Sequence, residues 1–169
     1  AATGTVPNVA ADDRQGRHKL GYGLNAEQAL ADGGDTGVFV RLGWQDGKTE
    51  DFVFTEVDRH ASAGGQLSGI HWARGEDRLG VGLVLEGLSD AHRDYLAAGG
   101  SGFLLGDGRL NYAHEEILET YYRAQWTWAV GRVALRAQLT PDFQYIRNPG
   151  FNQERGPVRF YTLRLHLEY

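Results

Sequence analysis

The charged residues Arg41, Glu56, Asp58, Glu119, Arg123, Arg136, Asp142, Arg164 and Glu168 all fall on the polar side of segments in which apolar and polar residues alternate. Carboxylates and guanidinium groups of both signs offer hydrogen bonds without offering a nucleophile. Lining a channel, such groups tune what passes. On a soluble antiparallel sheet they are an ordinary solvated face above a protein core. Spacing alone leaves both readings open.

Bond-making chemistry finds less support. His92, Asp94 and Ser101 share one stretch, but a catalytic triad is recognised by geometry, and no motif surrounds these residues. His71, His92, His114 and His166 lack the spacing of metal ligands. Cysteine is absent, which removes thiolate sites and disulfides. Gly21-Tyr22-Gly23-Leu24-Asn25-Ala26 loosely fits a dinucleotide fingerprint, yet that motif must follow a strand and open a helix, and here it alternates instead. Gly47-Lys48-Thr49 lacks the first glycine of a phosphate loop, because position 42 is Leu42. The expectation is a non-enzyme with neither cofactor nor metal.

The alternation that positions the charges is clearest at the C-terminus. In Val158–Tyr169, residues Tyr161, Leu163, Leu165, Leu167 and Tyr169 form one face, with Thr162, Arg164, His166 and Glu168 opposite. A side-chain period of two is the signature of a strand. Working from the N-terminus, residues 1–17 read as a loop or mobile terminus and residues 18–169 as a single domain. Strands are expected from Lys19 (Leu20, Tyr22, Leu24 and Ala26 on one side), over Val38–Trp44, from Phe52 to Asp58, and over Leu79–Leu85. Two more follow over Leu118–Trp126 and Val133–Thr140, with Val158–Tyr169 as the seventh.

Arg59 falls on the apolar parity of the third strand and calls for a bulge, a partner charge or an early strand end. Pro141 reads as an edge, a bulge or a strand end. The stretch 68–78 reads as a connection and 88–113 as a long irregular loop. No helical period survives beyond a few residues. Short turns alternate with longer connections, as in outer-membrane barrels, with 68–78 as the exception.

Composition narrows the classes. A net charge of -5 argues against nucleic acid as a partner. No apolar run approaches the roughly 18 residues of a transmembrane helix, and no signal peptide is visible. Neither absence excludes a barrel, whose strands hide half their residues from a hydropathy window. Glycine is 24 of 169 residues, about twice its ordinary share of roughly 7%. It suits tight bends and close backbone approach in barrels, and it suits a soluble β-sandwich too.

Particular stretches sharpen this. Gly21–Gln28, Phe54-Thr55-Glu56-Val57-Asp58-Arg59, the loop HRDYLAAGGSGFLLGDGRLNY at 92–112, Glu116–Tyr122, Asp142–Ile146 with Asn148-Pro149, and Arg155-Gly156-Pro157 follow one another in order. Together they resemble the C-terminal part of the carbohydrate-selective outer-membrane porins, the OprB-type family. The resemblance implies an all-β fold, an antiparallel transmembrane barrel of about 16 strands, of which these seven would form the C-terminal half. It implies passive diffusion of mono- or oligosaccharides through a polar, charged lumen, with outer-membrane lipid against the apolar faces. Homo-oligomers are compatible with it. By parity, the wall residues it implies are Arg41, Glu56, Asp58, Glu119, Tyr121, Arg123, Arg136 and Arg164. With no methionine at position 1 and seven strands where the family has more, the chain is expected to be a fragment. The competing expectation is a soluble antiparallel β-sandwich or barrel that binds glycans or a partner.

Overall fold

In the computed structural model, residues 6, 7, 16, 18–49, 56–105, 108–131 and 133–169 are described. The alternating segments become β1 (Gly21–Ala31), β2 (Thr36–Gln45), β3 (Arg59–Ser68), β4 (Arg78–Gly87), β5 (Glu115–Val130), β6 (Val133–Arg147) and β7 (Val158–Glu168). They form one sheet in sequence order, each strand antiparallel to the next. Single-residue register fixes which side chains share a face. Leu24 pairs with Leu42, Leu42 with Ala61, Ala61 with Leu85, Leu83 with Leu118, Leu118 with Tyr145, and Leu139 with Leu165. One parity is therefore apolar across all seven strands.

That face is uncovered: Leu24, Leu83, Leu163 and Leu165 are each well exposed, Leu163 at 68%. In a β-sandwich a second sheet would cover such a face. Charged residues of this parity (Arg59, Glu116, Arg147 and Arg159) stand only at strand ends beside the longer connections. Aromatic side chains bracket the aliphatic band. Tyr22 stacks on Trp44 (ring centroids 5.0 Å apart) and Phe143 lies 5.1 Å from Tyr161. Toward the other end stand Tyr122, Trp126 and Trp128.

The structure moves the third strand. The expected strand from Phe52 to Asp58 gives way to β3 at Arg59–Ser68, with Glu56–Asp58 in the connection and residues 52–55 outside those described. Much of the stretch expected to start a connection at Ser68 is still a connection, with a 3-10 turn at Gly69–Trp72. Arg59 resolves as the first residue of β3. Its guanidinium lies 5.0 Å from the centroid of Trp44 and donates to the Gln45 carbonyl at 2.5 Å. Pro141 is neither edge, bulge nor end. Bridges between β5 and β6 lapse opposite Thr140–Pro141 and resume in the same register, while β6 stays paired with β7 through Pro141↔Leu163. A helix, α1 (Asp90–Ala97), also appears where only loop was expected, its first turn capped by the Ser89 hydroxyl accepting from the His92 N–H.

The connections divide by end. Residues 32–35, 69–77 and the turn at Gly131 (φ 63°) close one end, while the described residues of 46–49, 56–58, 88–105, 108–114 and 148–157 gather at the other. The buried apolar residues (Leu88, Leu96, Leu105 and Phe151) all lie in this second group, with Val57, Tyr95, Leu110 and Tyr112 against them. Among the described residues the conventional hydrophobic core thus sits in the long connections and not on the sheet.

At the opposite end, Asp77 finishes what β4 begins. Its carboxylate, 1% exposed, accepts from Arg74 Nε and Nη2 at 2.9 and 3.0 Å, from the Tyr122 hydroxyl at 2.5 Å and from the Gln125 N–H at 3.0 Å. It so stands in for a strand neighbour just beyond the end of β4. Removing it would leave the Gln125 N–H and the Tyr122 O–H without this acceptor, while the Tyr122 oxygen would still accept from Trp72 Nε1. Asp77→Ala is expected to lower stability by about 1–3 kcal/mol per unsatisfied buried group. Urea unfolding in detergent reads this, and an unchanged midpoint would count against the network.

Candidate functional site

The second face of the sheet collects the polar residues, and register arranges them in rows. One row runs Glu27, Phe39, Gly64, Gly82, Glu119 and Gln144; the next runs Ala29, Gly37, Gln66, Gly80, Tyr121 and Asp142, omitting only the bulge near Ala29. Arg41 stands one row further toward the long connections. Its Nη2 lies 3.2 Å from Glu27 Oε1 and its Nε donates to Asn25 Oδ1 at 3.3 Å. The guanidinium also lies 5.1 Å from the Phe39 ring centroid. A hollow of about 500 Å³ opens here, lined among others by Glu27, Phe39, Gln66, Gly82, Glu119 and Tyr121.

The other expected wall residues spread along the same face. Arg123 is paired in register with Arg78, and its Nε is buried without a hydrogen-bond partner. Arg136 Nη1 donates to Glu168 Oε2 at 2.5 Å, with His166 Nε2 2.9 Å from the other oxygen. Arg164 lies across from Thr140. Glu119 and Tyr121 therefore line one hollow, with Arg41 beside it through Glu27 and Phe39, while Arg123, Arg136 and Arg164 belong to rows nearer the short-turn end.

Glu56 and Asp58 do something else. Glu56 Oε2 accepts the backbone N–H groups of Leu104 and Leu105, both at 2.8 Å. Asp58, 1% exposed, accepts from the Ser89 N–H at 2.8 Å and from Gln45 Nε2 at 2.9 Å, and its Oδ2 lies 3.1 Å from His92 Nδ1. Burial opposes ionisation of Asp58, but the hydrogen bonds from His92 and Ser89 outweigh it and hold the carboxyl below its ordinary 3.8. Both carboxylates hold the long connection 88–114 to the connection before β3. The clamped connection overhangs the polar face: a hollow of about 410 Å³ there is lined by Glu56, Glu86, Leu105, Glu115 and Arg155.

Phe39, Gln66 and the glycines of the rows were missed in the sequence. Phe39 shares parity with Arg41, and an aromatic residue on the polar side of a strand was the available signal. Among the described residues no cluster of histidine and carboxylates could hold a metal ion.

Comparison with known proteins adds the family. The model of the carbohydrate-selective porin, OprB family, matches residues 1–169. Among solved structures, the chain is similar to Pseudomonas putida OprB in its high-pH structure, at a TM-score of 0.55 and 21% identity. The similarity covers 88% of this chain and 34% of that one, so the chain spans about a third of the porin's length. No curated protein matches.

The clamp makes a test with a definite pH sign. Because Asp58 is more acidic when folded, its contribution is complete above the ordinary aspartate range and is lost as pH falls through the depressed value. Asp58→Ala is expected to speed limited proteolysis within 88–113 by about tenfold or more at neutral pH, in line with about 1–3 kcal/mol for orphaned buried donors. The parent should become comparably susceptible to an acid-active protease only below pH 3.8. Equal cleavage of parent and variant at neutral pH would remove the clamp.

Proposed function

The chain belongs to the carbohydrate-selective porin, OprB family, and on that premise we propose that it forms part of an outer-membrane barrel through which sugars diffuse passively. The observation that carries this reading is the register that holds one parity mainly apolar along the middle of all seven strands and gathers most charges on the other. A barrel in lipid needs that pattern, with an outward apolar band flanked by aromatic residues and a polar interior. Leu24, Leu83 and Leu165 then meet acyl chains, and the Tyr22–Trp44 stack stands at an interface. Arg41, Glu119, Tyr121, Arg123, Arg136 and Arg164 face the water-filled lumen.

A sugar carries hydroxyls that both donate and accept, so a wall of mixed carboxylates, guanidinium groups, amides and a phenol suits it whichever way it turns. Several wall charges are already matched with one another, as in Arg41–Glu27 and Arg136–Glu168. Such pairs keep the net field of the wall small, and they exchange hydrogen bonds with a passing solute at little cost. Weak contacts of this kind serve transport, because a conducting site must release what it binds. Glu56 and Asp58 contribute by holding the long connection over the mouth of this wall, and not as wall residues themselves. No bond is made or broken, in keeping with a family of channels.

In planar lipid bilayers, the whole porin that carries this segment is expected to pass ions and to lose part of that current when sugar is added on one side. A current indifferent to sugar, at matched osmolarity and viscosity, would contradict the proposal.

A further inference from the structure

Glycine on the polar face does something more specific than loosen strands. Phe39 of β2 is the register partner of Gly64 of β3, and its ring lies over that glycine. A Cβ at Gly64 would come within 2.7 Å of Phe39 Cε1 and 2.5 Å of the Val81 carbonyl oxygen. From the other side, Tyr121 of β5 is the partner of Gly80 of β4 and lies over it, since a Cβ there would stand 2.5 Å from Tyr121 Cζ. The Tyr121 hydroxyl carries on across β4 and donates to Gln66 Oε1 on β3 at 2.9 Å. The two rings are laid inward toward each other from β2 and β5, each on a strand position that only glycine leaves bare.

Between them lies Gly82, the register partner of both Gly64 and Glu119. A Cβ built on Gly82 meets no atom within 4 Å. Gly82 is thus a bare position in the floor of the 500 Å³ hollow, with Phe39 over its partner Gly64 in the same row and Tyr121 over Gly80 in the next row. Polar groups stand around this floor: Glu27 beside Phe39, Gln66 at the end of Tyr121, and Glu119 next to Gly82, with Arg41 bonded to Glu27 from the next row. Arg41 and Glu27 are exposed by 52% and 64%, so both remain open to solutes.

We propose that this hollow is a pyranose subsite of the wall, in which Phe39 and Tyr121 take the C–H faces of a sugar ring over Gly82 while Glu27, Arg41, Gln66 and Glu119 take its hydroxyls. The ligand class follows from the chemistry. A pyranose is a rigid ring with apolar C–H faces and a belt of equatorial hydroxyls, which matches aromatic flanks within a polar rim. An acyclic polyol has the same hydroxyls but no rigid face to lay against a ring. The subsite therefore separates cyclic from open-chain solutes of similar size and polarity. It rests on the porin reading, of which it names the selective element.

The test uses the whole porin in liposomes and compares the entry rates of glucose and sorbitol. In the parent, glucose is expected to enter faster than sorbitol. Phe39→Leu and Tyr121→Leu keep apolar bulk but remove the flat faces, and each is expected to cut the glucose-to-sorbitol ratio by about 2- to 10-fold, the range that an aromatic contact commands. Gly82→Leu fills the floor from a position with no neighbour to disturb, so it is expected to fold and to cut the same ratio as strongly. Heat-modified mobility confirms folding of each variant. If neither solute enters faster than into liposomes without the porin, the porin reading falls and the subsite falls with it; if both enter at equal rates, the subsite alone is overturned. If the parent discriminates and folded Gly82→Leu and Tyr121→Leu discriminate equally well, the subsite is overturned and the porin reading stands.

Discussion

A backbone N–H or C=O that enters hydrocarbon must find its partner within the protein, because lipid offers none. In the barrel proposed for this chain, that constraint would fall on six successive antiparallel ladders, from β1–β2 to β6–β7. A slip of one residue in any ladder would carry that strand's leucines to the polar side and its charges to the apolar side. The ladders therefore do two jobs together. They satisfy the backbone, and they keep Leu83 and Leu118 on one face with Gly82 and Glu119 on the other. Where a ladder runs out, side chains take over, as Asp77 and Arg74 do for the backbone of Gln125 beyond β4.

On the proposed reading, the same constraint accounts for where the buried core lies. A sheet whose apolar side meets lipid and whose polar side meets water has no interior of its own to fill. Leu96, at 0% exposure, and its neighbours Leu88, Leu105 and Phe151 come from long connections that reach water and must bury their apolar groups among themselves. Polar ties fix this small core to the sheet. Glu56 and Asp58 hold the 88–114 connection, while Glu115 Oε2 takes the Gly150 N–H at 2.6 Å and ties down the connection before β7. The overhang this creates narrows the approach to the polar face from one end only.

Much of this was legible in the sequence because barrel strands display their pattern locally. β4 and β7 alternate cleanly, and their leucines point where the parity says. β3 was misread for a physical reason. Its apolar-parity residues Ala61, Ala63 and Gly65 are small and carry little apolar surface, whereas Phe52–Val57 is rich in aromatic and β-branched residues that favour a strand. The pairing of β3 with leucine- and valine-rich strands on both sides decides its place, and a single-sequence window cannot see that partnership. The same stretch carries Glu56 and Asp58, expected on the wall by parity, into the connection before β3, where each bonds to the 88–114 connection. Pro141 misled in the opposite sense: a missing N–H suggested a boundary, but a long ladder absorbs one lost bond when its register holds on both sides. The ring-over-glycine arrangement was least legible, since it depends on which glycine of a neighbouring strand lies opposite Phe39 and Tyr121.

Everything functional here depends on which face meets lipid and which meets water. These 169 residues contain no cysteine, so once any cysteine elsewhere in the whole porin is replaced the question is directly measurable. Single cysteines placed one at a time from position 117 to 121 and from 162 to 166 in the whole porin, in lipid, would be probed with a charged, membrane-impermeant thiol reagent and with a lipid-soluble one. Positions 117, 119, 121, 162, 164 and 166 are expected to react with the charged reagent, and positions 118, 120, 163 and 165 with the lipid-soluble one. A pattern without this period of two, or with the two sets exchanged, would contradict the assignment of the polar face to the lumen.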